Sequence, residues 1–245
     1  MQSGRNNAWV KKVSGVAMML ALAGCATHGE QQATKTRPPV MTSETLKDMS
    51  ADQAMQLLQE GNARFVAGTP TPHNYREQVK TTGSSGQYPF ASIVSCIDSR
   101  SAPSVIFDLG IGDIFSTRVA GNVINEDILG SLEYGSKVVG TKLIVVLGHT
   151  SCGAVKGACD NVEMGNLSGL LAKIRPAVDA TPNVNDGDRS SHNFPFVDAV
   201  AENNVRLMVK SMHDKSPVLR EMAAKGQIKI VGAMLDVKTG KVKFL

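Results

Sequence analysis

Leu143-Ile144-Val145-Val146-Leu147-Gly148-His149-Thr150-Ser151-Cys152-Gly153-Ala154 reads as a strand, a tight turn and the start of a helix. Five consecutive branched aliphatic residues leave no polar face, which is the mark of a strand covered on both sides in a parallel sheet. Gly148 and Gly153 permit the sharp change of direction that follows. Apolar runs of the same kind lie at 90–95, 114–119 and 228–234. Helical periodicity falls between them, at 128–139, 167–174, 196–212 and 217–224. Ahead of all these, Ser50 and Gln53 make a capping-box pattern before Ala54, Leu57, Leu58 and Phe65, which predicts a helix and the first ordered element there. A Thr-, Pro- and Gly-rich break follows it. The alternation predicts an α/β fold with a mainly parallel central sheet flanked by helices. No repeat or second domain boundary interrupts it, and the polar stretch 179–193 is expected to be a long exposed loop.

The chemistry-bearing residues fall where such a fold would use them. Cys96 opens the run Cys96-Ile97-Asp98-Ser99-Arg100 directly after one predicted strand, and His149 follows another. Both therefore sit at carboxyl ends of parallel strands, where open α/β sheets bind ligands. The two-residue gap between His149 and Cys152 brings both onto one metal. Two thiolates and an imidazole form a soft donor set suited to zinc, and three protein ligands leave one tetrahedral position open for water or substrate. Extended backbone sends Cys96 and Asp98 to the same side. Arg100 can then take Asp98 in a bidentate fork, holding the carboxylate off the metal and keeping it ionised. A phosphate cradle is disfavoured, because no GxGxxG or P-loop pattern accompanies the glycines.

The N-terminus reads as an address. Arg5, Lys11 and Lys12 precede an apolar stretch at 13–23 that is too short to span a bilayer, which predicts a secretory signal peptide over residues 1–24. Leu22-Ala23-Gly24-Cys25 resembles the lipobox of bacterial lipoproteins, which implies acylation of Cys25. Ala26, in place of the aspartate that retains such proteins at the inner membrane, points to an outer-membrane anchor facing the periplasm. Residues 25–45, polar and carrying Arg37-Pro38-Pro39, are expected to be a flexible tether. Removing the three leader cations lowers the formal net charge from +4 to +1. With aromatic residues at only 4%, such a domain carries no electrostatic footprint for nucleic acid. If Cys25 is lipidated, Cys96, Cys152 and Cys159 remain, an odd set that fits two metal thiolates and one buried spare better than a disulfide framework.

From about Ser50 to Leu245 the sequence resembles the β-class carbonic anhydrases, with a plant-type active site. The landmarks are Gly61-Asn62-Ala63-Arg64-Phe65, Cys96 to Arg100, Arg118-Val119-Ala120-Gly121-Asn122, Gly130-Ser131-Leu132-Glu133-Tyr134 and Gly148 to Ala154. The resemblance implies a catalytic domain over residues 46–245 that reversibly hydrates carbon dioxide to bicarbonate and a proton. It implies Zn2+ on Cys96, His149 and Cys152, with water in the fourth place oriented by Asp98 and its partner Arg100. Gln87, Phe115, Tyr134 and Gly153 would surround the substrate, Tyr134 reaching across from the neighbouring subunit of a homodimer or higher homo-oligomer. Ala120 stands where plant-type enzymes commonly carry a bulkier pocket residue. Two other functions share the same residues: hydrolysis of carbonyl sulfide or carbon disulfide, and a non-catalytic zinc lipoprotein with Asp98 as a permanent fourth ligand.

Overall fold

Val94 and Val146 lie side by side in the middle of a sheet whose central strands are buried along their whole length. The computed structural model describes residues 40–184 and 187–245. The expected signal peptide, Cys25 and most of the tether fall outside the described residues. The strands are β1 (Ala91–Ser95), β2 (Ile114–Arg118), β3 (Leu143–His149), β4 (Lys229–Leu235) and β5 (Val242–Phe244), in the spatial order β2-β1-β3-β4-β5. All neighbouring pairs are parallel except β5, which runs antiparallel to β4 at one edge. The predicted α/β architecture, a mainly parallel sheet between helices, is the one observed.

The helices are α1 (Ser43–Asp48), α2 (Ala51–Ala67), α3 (Tyr75–Ser85), α4 (Pro103–Ile106), α5 (Glu126–Glu133), α6 (Gly153–Cys159), α7 (Gly165–Leu171), α8 (Arg175–Ala180), α9 (Phe194–Lys215) and α10 (Pro217–Ala224). They explain the unbroken apolar run in β3. Ile144 and Val146 face one core layer with Ile128, Phe196 and Val200, while Leu143, Val145 and Leu147 face another with Leu58, Phe90 and Phe107. Alternation along the strand thus feeds two cores at once, each fully buried aliphatic contributing about 1.5–3 kcal/mol.

Several elements depart from expectation. Order begins before Ser50: the Thr42 side chain caps α1, and Met41 and Leu46 are buried in the second core layer, so packed structure starts within the stretch expected to be tether. The capping box at Ser50 and Gln53 is present as predicted and starts α2. The Thr- and Gly-rich break holds helix α3, which lacks an apolar stripe; it is capped by Asn74, and its Gln78 side chain accepts the Ile111 N–H at 3.0 Å. The helix expected at 128–139 is α5 continued by a π-helical turn, Tyr134–Val139, that stops at Gly140 in the left-handed region. The helix expected at 167–174 stops at Leu171, and the chain restarts as α8 with a proline in its first turn. The stretch 179–193 is less exposed than expected, because Thr181 and Asn193 are buried and the Arg189 guanidinium stacks on Phe196 at 4.6 Å.

One long helix positions the site. α9 crosses β3 and β4 at close range because Gly148 and Gly232 carry no side chain: a Cβ on either would meet a Val205 methyl at 2.5 or 2.6 Å.

Candidate metal centre

Strands β1 and β3 pair with Ser95 opposite Leu147, so Cys96 and the His149 turn leave the sheet together. Ser151 takes a left-handed backbone conformation, φ 55°, which folds the chain back so that Cys152 rejoins His149. The donor atoms of Cys96, His149 and Cys152 all lie within 4.8 Å of one another, and all three residues are buried. The two Sγ atoms are 4.0 Å apart. Tetrahedral zinc with bonds to sulfur of about 2.3 Å would hold them about 3.8 Å apart. His149 supplies the decisive fit. Its Nδ1 lies 2.9 Å from the Thr150 carbonyl oxygen, which only accepts, so Nδ1 carries the proton and the Nε2 lone pair is free. That Nε2 is buried without a hydrogen-bond partner, as a ligand atom for a metal would be.

The thiols are unequal. A hydrogen bond from Cys152 pulls the Cys96 thiol down despite burial, while the same contact and burial push Cys152 up. Cys96 is the easier to ionise, and a metal must displace the proton held on Cys152. Gly121, left-handed at φ 65°, donates its N–H to Cys96 Sγ at 3.4 Å, and Asn204 of α9 fixes Gly121 by donating to its carbonyl at 2.9 Å.

Asp98 and Arg100 form the predicted fork. Arg100 donates from Nε and one terminal nitrogen to the two carboxylate oxygens at 3.0 and 2.8 Å, and its own backbone N–H adds a third bond at 2.9 Å. These bonds, against the effect of burial, hold the Asp98 carboxyl well below the usual carboxylate range. One Asp98 oxygen lies 3.9 Å from His149 Nε2, beside the ligand triangle. Arg118 donates to the carbonyls of Cys96 and Asp98, and the Ser101 hydroxyl shares its one proton between the same two carbonyls at 3.1 and 2.9 Å. Arg118 and Gly121 lie in a run quoted above as a landmark, so their presence was visible and their contacts were not. Ser101, Asn204 and Asp198, whose side chain accepts the Ser151 N–H, belong to none of the quoted runs.

The proposed substrate residues divide. Gly153 follows Cys152 at the exposed start of α6, with open space around it. Phe115 and Tyr134 approach each other, ring centres 6.3 Å apart, but they line a cavity of about 660 Å³ that none of Cys96, His149 and Cys152 borders. Tyr134 is 56% exposed, and Gln87 is exposed just before β1. Cys159 is a buried free thiol, as expected, and burial pushes it up to about 11.

The sequence profile described as carbonic anhydrase matches residues 91–242, a span that holds all three ligands, Asp98 and Arg100. The fold superposes on a tetrameric β-carbonic anhydrase of the filamentous ascomycete Sordaria macrospora with a TM-score of 0.59 at 25% identity, covering 79% of this chain and 97% of that one. The chain belongs to the β-class carbonic anhydrases. Among members of that class, a carbonic anhydrase of the fungal pathogen Aspergillus fumigatus is similar at 27% identity and a TM-score of 0.58, over 79% of this chain and 89% of its own. Carbonic anhydrase 2 of Mycobacterium tuberculosis is 39% identical over 189 residues, 77% of this chain and 89% of the relative. The carbonic anhydrase of Mycolicibacterium smegmatis is 36% identical over 78% of this chain and 91% of the relative.

Proposed function

We propose that this β-class carbonic anhydrase reversibly hydrates carbon dioxide to bicarbonate and a proton, with zinc held by Cys96, His149 and Cys152. The observation that carries this is the Asp98–Arg100 fork beside a three-ligand site: both carboxylate oxygens are engaged by Arg100, leaving the fourth metal position to water. An Asp98 that permanently closed the site would have no use for such a partner. Zinc, when bound, supplies a Lewis acid that brings the pKa of a water toward the value of about 7 known for histidine-ligated carbonic anhydrase. Here two thiolates donate more negative charge, so activity is expected to rise toward alkaline pH. Asp98 stays ionised throughout that range and offers an acceptor that orients the attacking water. The Gly121 N–H on Cys96 draws charge from the sulfur and so partly offsets the thiolates.

The groove of Phe115 and Tyr134 fits an oligomer in which each subunit lends these rings to its neighbour's metal centre. The N-terminal leader and Cys25 support export and an outer-membrane lipid anchor on the periplasmic side; replacing Cys25 with Ser should move the protein from the membrane to the soluble fraction, and an unchanged distribution would count against the anchor. For the reaction, stopped-flow carbon dioxide hydration at about pH 8.5, where a water of pKa near 7 or modestly higher is ionised, is the direct test. Rapid proton release by the zinc-loaded chain, lost in Cys152→Ser, is expected. A folded, zinc-replete chain that leaves carbon dioxide untouched would overturn the assignment.

A further inference from the structure

Asp198 reaches the metal centre through a single amide. Its carboxylate accepts the Ser151 N–H at 2.7 Å. That N–H shares its peptide unit with the Thr150 carbonyl, whose oxygen accepts the His149 Nδ1–H at 2.9 Å. Carboxylate, peptide, imidazole and the unpartnered Nε2 thus form one continuous hydrogen-bonded line.

We propose that Asp198 is a positioning residue for the ligand His149, acting through the Thr150–Ser151 peptide. The amide is conjugated, so an anion at its N–H shifts electron density onto its carbonyl oxygen and strengthens that oxygen as an acceptor. A stronger acceptor at Nδ1 fixes the tautomer and ring orientation of His149 and makes Nε2 the better donor to a metal. Direct carboxylate–histidine–metal arrangements do the same work without the intervening amide. The left-handed Ser151, in a conformation that residues with a side chain rarely adopt, is held by the same bond.

The fold builds this contact deliberately. Asp198, Ala201 and Val205 follow at intervals of three and four residues and share one face of α9. Val205 lies against Gly148 and Gly232, and the Ala201 carbonyl lies 3.7 Å from where a Gly148 Cβ would stand, so the two bare glycines let that face descend onto the end of β3. The other side of the turn is tied to β4 and its exit: Thr150 N–H donates to Leu235 at 2.9 Å, and the Thr150 hydroxyl accepts from the Val237 N–H at 3.1 Å. Asp198 supplies the restraint from the helix side.

The inference rests on the zinc assignment and is independent of carbon dioxide as substrate. Its test compares the parent chain, Asp198→Asn and Asp198→Ala by zinc affinity in competition with a chelator, and by the ring-nitrogen NMR signals of His149 in the zinc-loaded protein. Asn keeps the shape and an acceptor oxygen but removes the charge, so a merely mechanical anchor would tolerate it. The relay predicts a loss in zinc affinity of about 10-fold for Asp198→Asn and about 100-fold for Asp198→Ala, with the His149 Nδ1–H signal displaced in the Asn variant. Parent-like affinity and parent-like ring signals in Asp198→Asn would overturn it. If the Ala variant fails to fold, the Asn comparison still decides, and neither readout depends on turnover.

Discussion

Asp98 shows how one side chain is tuned by its partners. Arg100 lowers its pKa, so the folded state is favoured wherever Asp98 would otherwise share its proton: this contribution is present above the unfolded value of about 3.9 and is lost as pH falls through the folded one. Across the alkaline range where activity should rise, Asp98 therefore contributes no titration of its own. Asp98→Asn should retain zinc, because Cys96, His149 and Cys152 are untouched, and should lose about 10²-fold or more in kcat, the scale on which misorientation of a reacting group acts. Measured zinc content together with hydration rates across pH tests both halves. A variant with full activity would remove Asp98 from the mechanism. The cluster of Cys96, His149 and Cys152 and the Asp98–Arg100 fork were legible from residue type and spacing alone, because metal chemistry restricts donors to a few side chains. Asp198 and Asn204 were not, since a carboxylate or amide within a helix has the same local sequence whether it meets solvent or a backbone group far along the chain.

At the scale of elements, α9 is the main support of the site. It holds the Ser151 turn, between His149 and Cys152, through Asp198, and the Gly121 turn, whose N–H meets Cys96 Sγ, through Asn204, so one helix braces both sides of the cluster. Gly148→Ala tests this. Its Cβ would stand 2.5 Å from Val205 and 2.9 Å from the Met234 sulfur, so α9 or its side chains must give way. Overpacking of this kind costs about 1–3 kcal/mol, and faster zinc release should accompany the lower melting temperature. Loss of stability with unchanged zinc release would mean that the helix does not brace the ligands. The strands of the sheet were readable because burial on both faces writes an unbroken apolar run, as in Leu143–Leu147. Helix α3 was hidden because it is capped by Asn74 and tied to Ile111 through Gln78 rather than held by an apolar stripe. The π-helical turn at Tyr134 was hidden because nothing in its apolar spacing distinguishes it from a continuing α-helix.

For the whole molecule, the separation between the metal ligands and the Phe115–Tyr134 cavity has a direct test. If each subunit completes its neighbour's site, Cys152→Ser and Tyr134→Ala subunits should each be slow alone. Mixed by reversible unfolding, they should regain about one quarter of the parent's activity, because random pairing makes half the dimers hybrid, each with one intact site. A mixture no faster than its components would place each site within a single subunit.

The parallel pairing of β1 with β3 also fixes when the site can exist. Cys96 emerges from the ribosome well before His149, and the crossover through β2 and α5 must close before the two strands meet. Such long-range pairings form late in folding, after the entropy of the intervening chain has been surrendered. A nascent or refolding chain therefore has no three-ligand centre to offer until its sheet is assembled. The time at which a refolding chain first withholds zinc from a chelator should mark completion of the β1–β3 ladder, making the metal a clock for the topology that creates its site.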